Sequence, residues 1–187
     1  MQKNLQKKSD LKFSKDVLDI VQFGSSVLSD KANDIDIAVI YNKIPVKEQL
    51  EQSQEIKRQL EKKFNLPIHI KSYDLYSLFD RGNFAMESIL FYGKSWIKEK
   101  SFAEFFGLSP RINIKYVLKN LKKKEKVKFN YLLNGKGKKY GLLREYSGRL
   151  LSPGLIEILP QHENIFKEAI EKITPNFEIK RVFLMRK

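Results

Sequence analysis

Cysteine is absent from all 187 residues. Its absence excludes a disulfide framework, thiolate zinc centres and cysteine nucleophiles. No apolar run approaches the roughly 20 residues that a membrane-spanning helix requires. The opening MQKNLQKKSDLKF carries lysines with no apolar stretch behind them, unlike a secretory signal. A cytoplasmic protein without membrane association is the expectation these absences set. There is no Walker-type glycine-lysine loop, no His/Glu zinc pair, no nucleophile-elbow motif, no internal repeat and no low-complexity linker. Acidic residues are what the second half lacks: residues 101–187 hold 8 Asp/Glu against 19 Lys/Arg, whereas residues 1–100 hold 14 against 17. Residues 111–149, with 13 basic and 2 acidic side chains, account for the whole excess. So local a charge points to a polyanion, nucleic acid first.

What is present is a soluble globular balance, 42% hydrophobic and 31% charged, in a length that suits one domain or two small ones. VLDIVQF (17–23) reads as a strand ending at Gly24-Ser25-Ser26, a turn with helix-capping serines. In DIDIAVIY (34–41), Ile35, Ile37 and Val39 alternate with Asp34, Asp36 and Ala38, a period of two that marks a strand with a carboxylate-bearing face. Residues 45–64 read as a helix from Pro45, its apolar face made by Leu50, Ile56, Leu60 and Phe64. LPIHIKSY (66–73) is a second alternating strand. Residues 74–97 look helical, with breaks at Arg81-Gly82 and Gly93. This βαβ order predicts an α/β (α+β) domain with mixed strands over residues 1–105. Ser109-Pro110 opens a second, smaller, basic α+β domain over 106–187. There Ile114, Val117, Leu118 and Leu121 have helical spacing, and 122–135 fits a helix or a strand. GLIEIL (154–159) and FEIKRVFL (177–184) read as strands around a helix opened by Pro160.

Two carboxylates one residue apart on a strand share a face, roughly 6–7 Å apart along the chain. Their repulsion invites a divalent cation, and Mg²⁺ takes oxygen ligands together with waters and substrate phosphates. The Gly-Ser-Ser turn permits close backbone approach and suits a phosphate chain.

FGSSVLSDKANDIDIAVIY therefore resembles the signature of the polymerase-β nucleotidyltransferase superfamily, an apolar residue, Gly-Ser, a spacer and Asp-x-Asp in a strand. The resemblance covers residues about 17–97, since PIHI and ESILFYGKSWI also look like the minimal nucleotidyltransferases. It implies transfer of a nucleotidyl group from a nucleoside triphosphate, ATP being the expected one, to an acceptor hydroxyl with Mg²⁺ or Mn²⁺. It implies that Asp34 and Asp36 hold the metal and that Gly24, Ser25 and Ser26 hold the β and γ phosphates. Two departures stand out. The spacer between Ser25 and Asp34 is eight residues, shorter than usual. Where the family places a third carboxylate, PIHI has His69. Three readings of His69 stay open: a working substitute that accepts the acceptor's proton, the mark of a binding-only site, or a bystander strand residue, with Asp74 or another acid supplying the carboxylate.

In the basic half, Lys136, Lys138 and Lys139 on the glycine-punctuated loop NGKGKK are the first candidates for phosphate contact, followed by Arg144 and Arg149. Tyr116, Phe129, Tyr131, Tyr140 and Tyr146 lie between the cations, either stacking on bases or filling a core. The leading expectation is a nucleotidyltransferase whose residues 111–149 bind RNA or another nucleic-acid acceptor. Its rivals are a weakened, nucleic-acid-binding or regulatory module and an antitoxin-like enzyme that transfers AMP to a protein; a protein partner or homodimer stays open.

Overall fold

The near-continuous apolar run IAVIY (37–41) can be satisfied only in a strand buried on both faces, and the fold of the first hundred residues is arranged around it. A computed structural model describes residues 11–29, 31–137 and 139–185; the lead-in before residue 11, and Lys138, lie outside them. The chain divides into two compact units, Met1–Phe106 and Gly107–Lys187, and the architecture is mixed α and β.

In the first unit, strands Val17–Phe23 (β1), Ile35–Tyr41 (β2), Ile68–Asp74 (β3) and Lys94–Ser95 (β4) form one sheet in the order β3-β2-β1-β4. β1 runs antiparallel to β2 and β4, while β2 and β3 are parallel. The crossover between β2 and β3 contains the helix Val46–Glu61 (α2), after the short Ser25–Leu28 helix (α1). Ile35, Ile37, Val39 and Tyr41 pack with Ile56 and Leu60 of α2 on one face. Ala38 and Ile40 pack on the other with Leu78, Ile89, Leu90 and Phe102, from helices Leu75–Leu78 (α3) and Met86–Tyr92 (α4) and the 3₁₀ turn Phe102–Phe106. The buried stripe of α2 is Gln49, Ser53, Ile56 and Leu60, not the expected one through Leu50, which is exposed. The Tyr41 hydroxyl recruits Ser53 at 2.9 Å, so a polar residue can face the core. Lys94-Ser95 is an edge strand and not the end of a helix. Gly93 leaves the helix extended at ψ 134°, against the Ile89 carbonyl where a Cβ would collide.

β1 carries a bulge between Val17 and Asp19, and it buries Asp19 to 1% exposure. Asp19 Oδ1 accepts the Ile20 N–H and the Ser95 hydroxyl, both at 2.8 Å. Oδ2 has no hydrogen-bond partner among the described residues. Burial raises the Asp19 pKa, against the lowering by Ser95, Ile20 and Lys98. Stability from a carboxyl whose folded-state pKa is raised is full below the ordinary range near pH 3.9 and is lost as pH climbs through the folded value. Asp19→Asn keeps the Oδ1 acceptor and removes the buried charge. It is expected to melt higher than the parent at pH 7, with the gap closing on acidification to about pH 4. Urea titrations at the two pH values check this; a variant weaker at pH 7 contradicts it.

In the second unit, Leu108–Tyr116 (β5), Arg149–Ser152 (β8), Leu155–Ile158 (β9) and Phe177–Met185 (β10) make an antiparallel sheet in the order β10-β5-β9-β8. A two-residue hairpin, Gly135–Lys136 (β6) with Lys139–Tyr140 (β7), follows the helix Lys123–Asn134 (α5). Helices Leu142–Glu145 (α6) and Glu163–Glu171 (α7) complete the unit. The helical spacing read from Ile114 to Leu121 is overturned. Residues through Tyr116 form β5, because Ile112 and Ile114 alternate inward and pair with Ile158 and Ile156. The ambiguous 122–135 segment is helical, with Phe129 and Leu133 buried one turn apart. No helix among the described residues is long and apolar enough to cross a membrane.

Candidate functional site

Parallel pairing of β2 with β3 sets Asp36 directly beside His69, and antiparallel pairing with β1 sets Phe23 on its other side. Asp36 thus stands where β1 ends and the chain turns through Gly24. Asp34, one residue before β2, shares its face by the period of two. His69 Nδ1 is 3.7 Å from Asp34 Oδ2 and 3.9 Å from Asp36 Oδ1. One donor atom from each of the three residues lies within 4.8 Å of the others. The side chains are 34%, 29% and 62% exposed for Asp34, Asp36 and His69, so the carboxylates are partly desolvated while the imidazole faces solvent. Burial raises the Asp36 pKa first and repulsion from Asp34 second, with His69 and Lys71 opposing. Ligands held at about 2.0–2.2 Å by one ion stand about 3–4 Å apart, which the two measured separations fit. Asp34, Asp36 and His69 therefore could form a metal-binding site.

Gly24 completes the cluster through what it lacks. Its backbone, φ 72° and ψ −158°, lies in a region essentially reserved for glycine. A Cβ there would collide with Asp36 Oδ2. Ser25 is exposed at the first position of α1. The cap of α1 is Gly24 itself, with no side-chain bond, so the expected capping by serine does not occur. Ser26 is otherwise engaged: its hydroxyl donates to the Phe23 carbonyl at 3.3 Å and accepts from Gln22 Nε2 at 3.1 Å. Ser26 holds the turn, and its hydroxyl is already committed within the fold.

Asp74 does not supply the third carboxylate. It pairs with Tyr41 at the far end of β3, about 16 Å along the strand from His69. There it caps α3 by accepting the Ser77 N–H at 2.7 Å, and those bonds lower its pKa. Two contributors were not picked out from the sequence. Lys71 follows His69 by two residues, so the same periodicity that turns His69 to the cluster could have found it. Gln22 bonds Ser26 and receives the Trp96 indole N–H at 3.2 Å; its signal is a polar residue inside an apolar strand. A groove of about 610 Å³ lined by Lys12, Gln52, Glu55 and Lys62 among others shares no residue with the cluster.

In the second unit the expected phosphate-contacting residues separate into two settings. Around the β6-β7 hairpin, Lys136 Nζ lies 5.1 Å from the Tyr131 ring and the Arg144 guanidinium 4.0 Å from the Tyr140 ring. Tyr131 and Tyr140 are exposed, as are Lys136, Lys139 and Arg144. Lys138 lies outside the described residues. Arg149 belongs elsewhere, its Nε donating to Glu157 Oε1 at 2.7 Å, with Arg111 3.7 Å from the same oxygen. Tyr116 and Phe129 instead pack on each other, ring centroids 4.7 Å apart, and Tyr146 packs on Phe166 and His162. The charged residues of α2 form a solvated face of i,i+3 and i,i+4 pairs such as Glu55–Arg58 and Lys57–Glu61. No protein-family model matches the chain, and no curated protein matches it either.

Proposed function

We propose that the Met1–Phe106 unit is a nucleotidyltransferase of the polymerase-β type, moving a nucleotidyl group from ATP or another nucleoside triphosphate to an acceptor hydroxyl. The observation that carries this reading is the meeting of Asp34, Asp36 and His69 beside a side-chain-free Gly24. A divalent cation, when bound, would neutralise triphosphate charge and polarise the phosphoryl group. Asp34 and Asp36 would hold that cation, and the bare Gly24 backbone with Ser25 would admit the β and γ phosphates. The acceptor oxygen attacks the α-phosphorus, pyrophosphate leaves, and the acceptor's proton passes to solvent at the open side of the cluster, where His69 stands with both carboxylates.

The acceptor in this reading is RNA, bound by the Gly107–Lys187 unit. Exposed tyrosines under cations offer stacking surfaces next to phosphate-seeking charges. Changing Lys136, Lys139 and Arg144 together to alanine is expected to lower the slope of log affinity against log salt by about 2, at about 0.7 per single-strand phosphate contact. Fluorescence anisotropy with a labelled single-stranded RNA at several salt concentrations reads it, and an unchanged slope removes this surface from the proposal.

A second reading is favoured by one feature, the imidazole at the position of the third carboxylate: a binding or regulatory module without transfer. Incubating the protein with each labelled triphosphate, Mg²⁺ or Mn²⁺ and total cellular RNA separates the two. Label on RNA that Asp36→Asn abolishes supports the enzyme. Label on protein instead favours the AMP-transferring form, and no label in any mixture favours the module.

A further inference from the structure

We infer that this cluster prefers a borderline transition ion of the Zn²⁺ or Co²⁺ class over Mg²⁺, and that His69 sets the preference. The inference rests on the metal centre of the nucleotidyltransferase reading and goes beyond it to the identity of the ion. Mg²⁺ is a hard ion that demands near-octahedral oxygen ligation and gives up water reluctantly. The donors that converge here are two carboxylate oxygens and one imidazole nitrogen. Imidazole suits Zn²⁺ and its transition-series neighbours, whose affinity for nitrogen and oxygen sites exceeds that of the harder ions. Three protein ligands with a fourth position open to water or substrate is also the arrangement of a catalytic zinc site.

The geometry points the same way. The Nδ1-to-oxygen separations of 3.7 and 3.9 Å are wider than the roughly 3.0 Å of adjacent octahedral positions at about 2.1 Å from an ion. They are nearer the roughly 3.4 Å of tetrahedral positions, which the side chains reach by closing slightly on an ion. Asp34 stands at the entrance of β2, and Asp36 and His69 pair directly across β2 and β3, so the strand ladder holds those two donors in register. The missing side chain at Gly24 lets Asp36 Oδ2 lie against the Gly24 backbone, which leaves Oδ1 turned toward His69. Lys71, from the same strand as His69, adds positive charge near Asp36 and acts against any cation equally, so it does not create the discrimination.

The test uses the full chain without an affinity tag and Co²⁺ alone as the probe, because its visible bands report both occupancy and coordination. Tag-free protein leaves His162 as the sole other histidine. Co²⁺ is titrated into the parent, His69→Asp and Asp36→Asn, and is then displaced with Mg²⁺. In the parent, the bands are expected to have the intensity of a four- or five-coordinate site and to resist Mg²⁺. In His69→Asp the ratio of Co²⁺ to Mg²⁺ affinity is expected to fall by at least about tenfold, the all-oxygen set having restored the hard ion's advantage. In Asp36→Asn the bands are expected to disappear. If Asp36→Asn removes them but His69→Asp leaves the ratio unchanged, the inference fails while the nucleotidyltransferase reading stands. If Co²⁺ binds neither the parent nor His69→Asp, or binds Asp36→Asn undiminished, the metal centre itself fails and both fall.

Discussion

Asp36→Asn is expected to lower metal-dependent transfer by about 10³-fold while making the metal-free protein harder to melt at pH 7. The activity loss follows from the several kcal/mol that a bound cation contributes to charge stabilisation, at about 1.4 kcal/mol per tenfold in rate. The stability gain follows from the raised pKa of Asp36, caused by burial first and by Asp34 second. A carboxylate in that position costs stability when ionised, so removing its charge relieves the fold at neutral pH. The gain is expected to vanish as pH falls below the ordinary carboxylate range, where the parent is protonated in both states. Metal reverses the order, since a ligand that binds only the native state stabilises the parent and bypasses the variant. Thermal melts at pH 7 and about pH 3, with chelator and, at pH 7, with added metal, read all of this alongside the transfer assay. Transfer within about tenfold of the parent contradicts the assignment, as does a variant that melts lower without metal.

Gly24→Ala is expected to do comparable damage by a different route. Its φ of 72° and ψ of −158° carry a penalty of about 1–3 kcal/mol for any residue with a Cβ. That Cβ must also displace the Asp36 carboxylate, so the variant is expected to lose metal affinity along with stability. Gly107→Ala is the comparison: it has φ 68° but open space where its Cβ would stand. It is expected to lose stability only. Equal metal affinity in the two variants would contradict the role given to Gly24.

Much of the cluster is legible in the sequence because strands impose a period of two. Asp34 and Asp36 share a face for that reason, and burying Ile68 while turning His69 outward follows from the same rule. Which strands become neighbours is a tertiary choice, and only the β2-β3 pairing sets His69 next to Asp36. Ser26 misled because a hydroxyl after glycine suits a phosphate and a turn equally well, and Gln22, four residues earlier, decides between them. The segment after Ser109 misled for another reason. Ile114, Val117, Leu118 and Leu121 imitate a helix, but partners on β9 and β10, some 40 and 65 residues onward, hold its first half extended. Asp19 was unreadable as a buried acid because the bulge that buries it leaves no mark in local spacing.

The strand that closes the first sheet arrives late. Asp19 and Ser95, joined by a hydrogen bond, are 76 positions apart, whereas β1, β2, the crossover helix and β3 are complete once residue 74 has been made. At about 5–20 residues per second on the ribosome, the interval from His69 to Ser95 lasts about 1–5 s. For those seconds the nascent polypeptide holds every residue of the cluster, while Val21 and Gln22 still await the pairing that Ser95 and Lys94 provide. An open strand edge recruits whatever extended chain is nearest, so the period between making the cluster and closing the sheet is when mispairing competes with folding. The pairing of Ser95 and Lys94 with Val21 and Gln22 therefore ends the exposure of that edge.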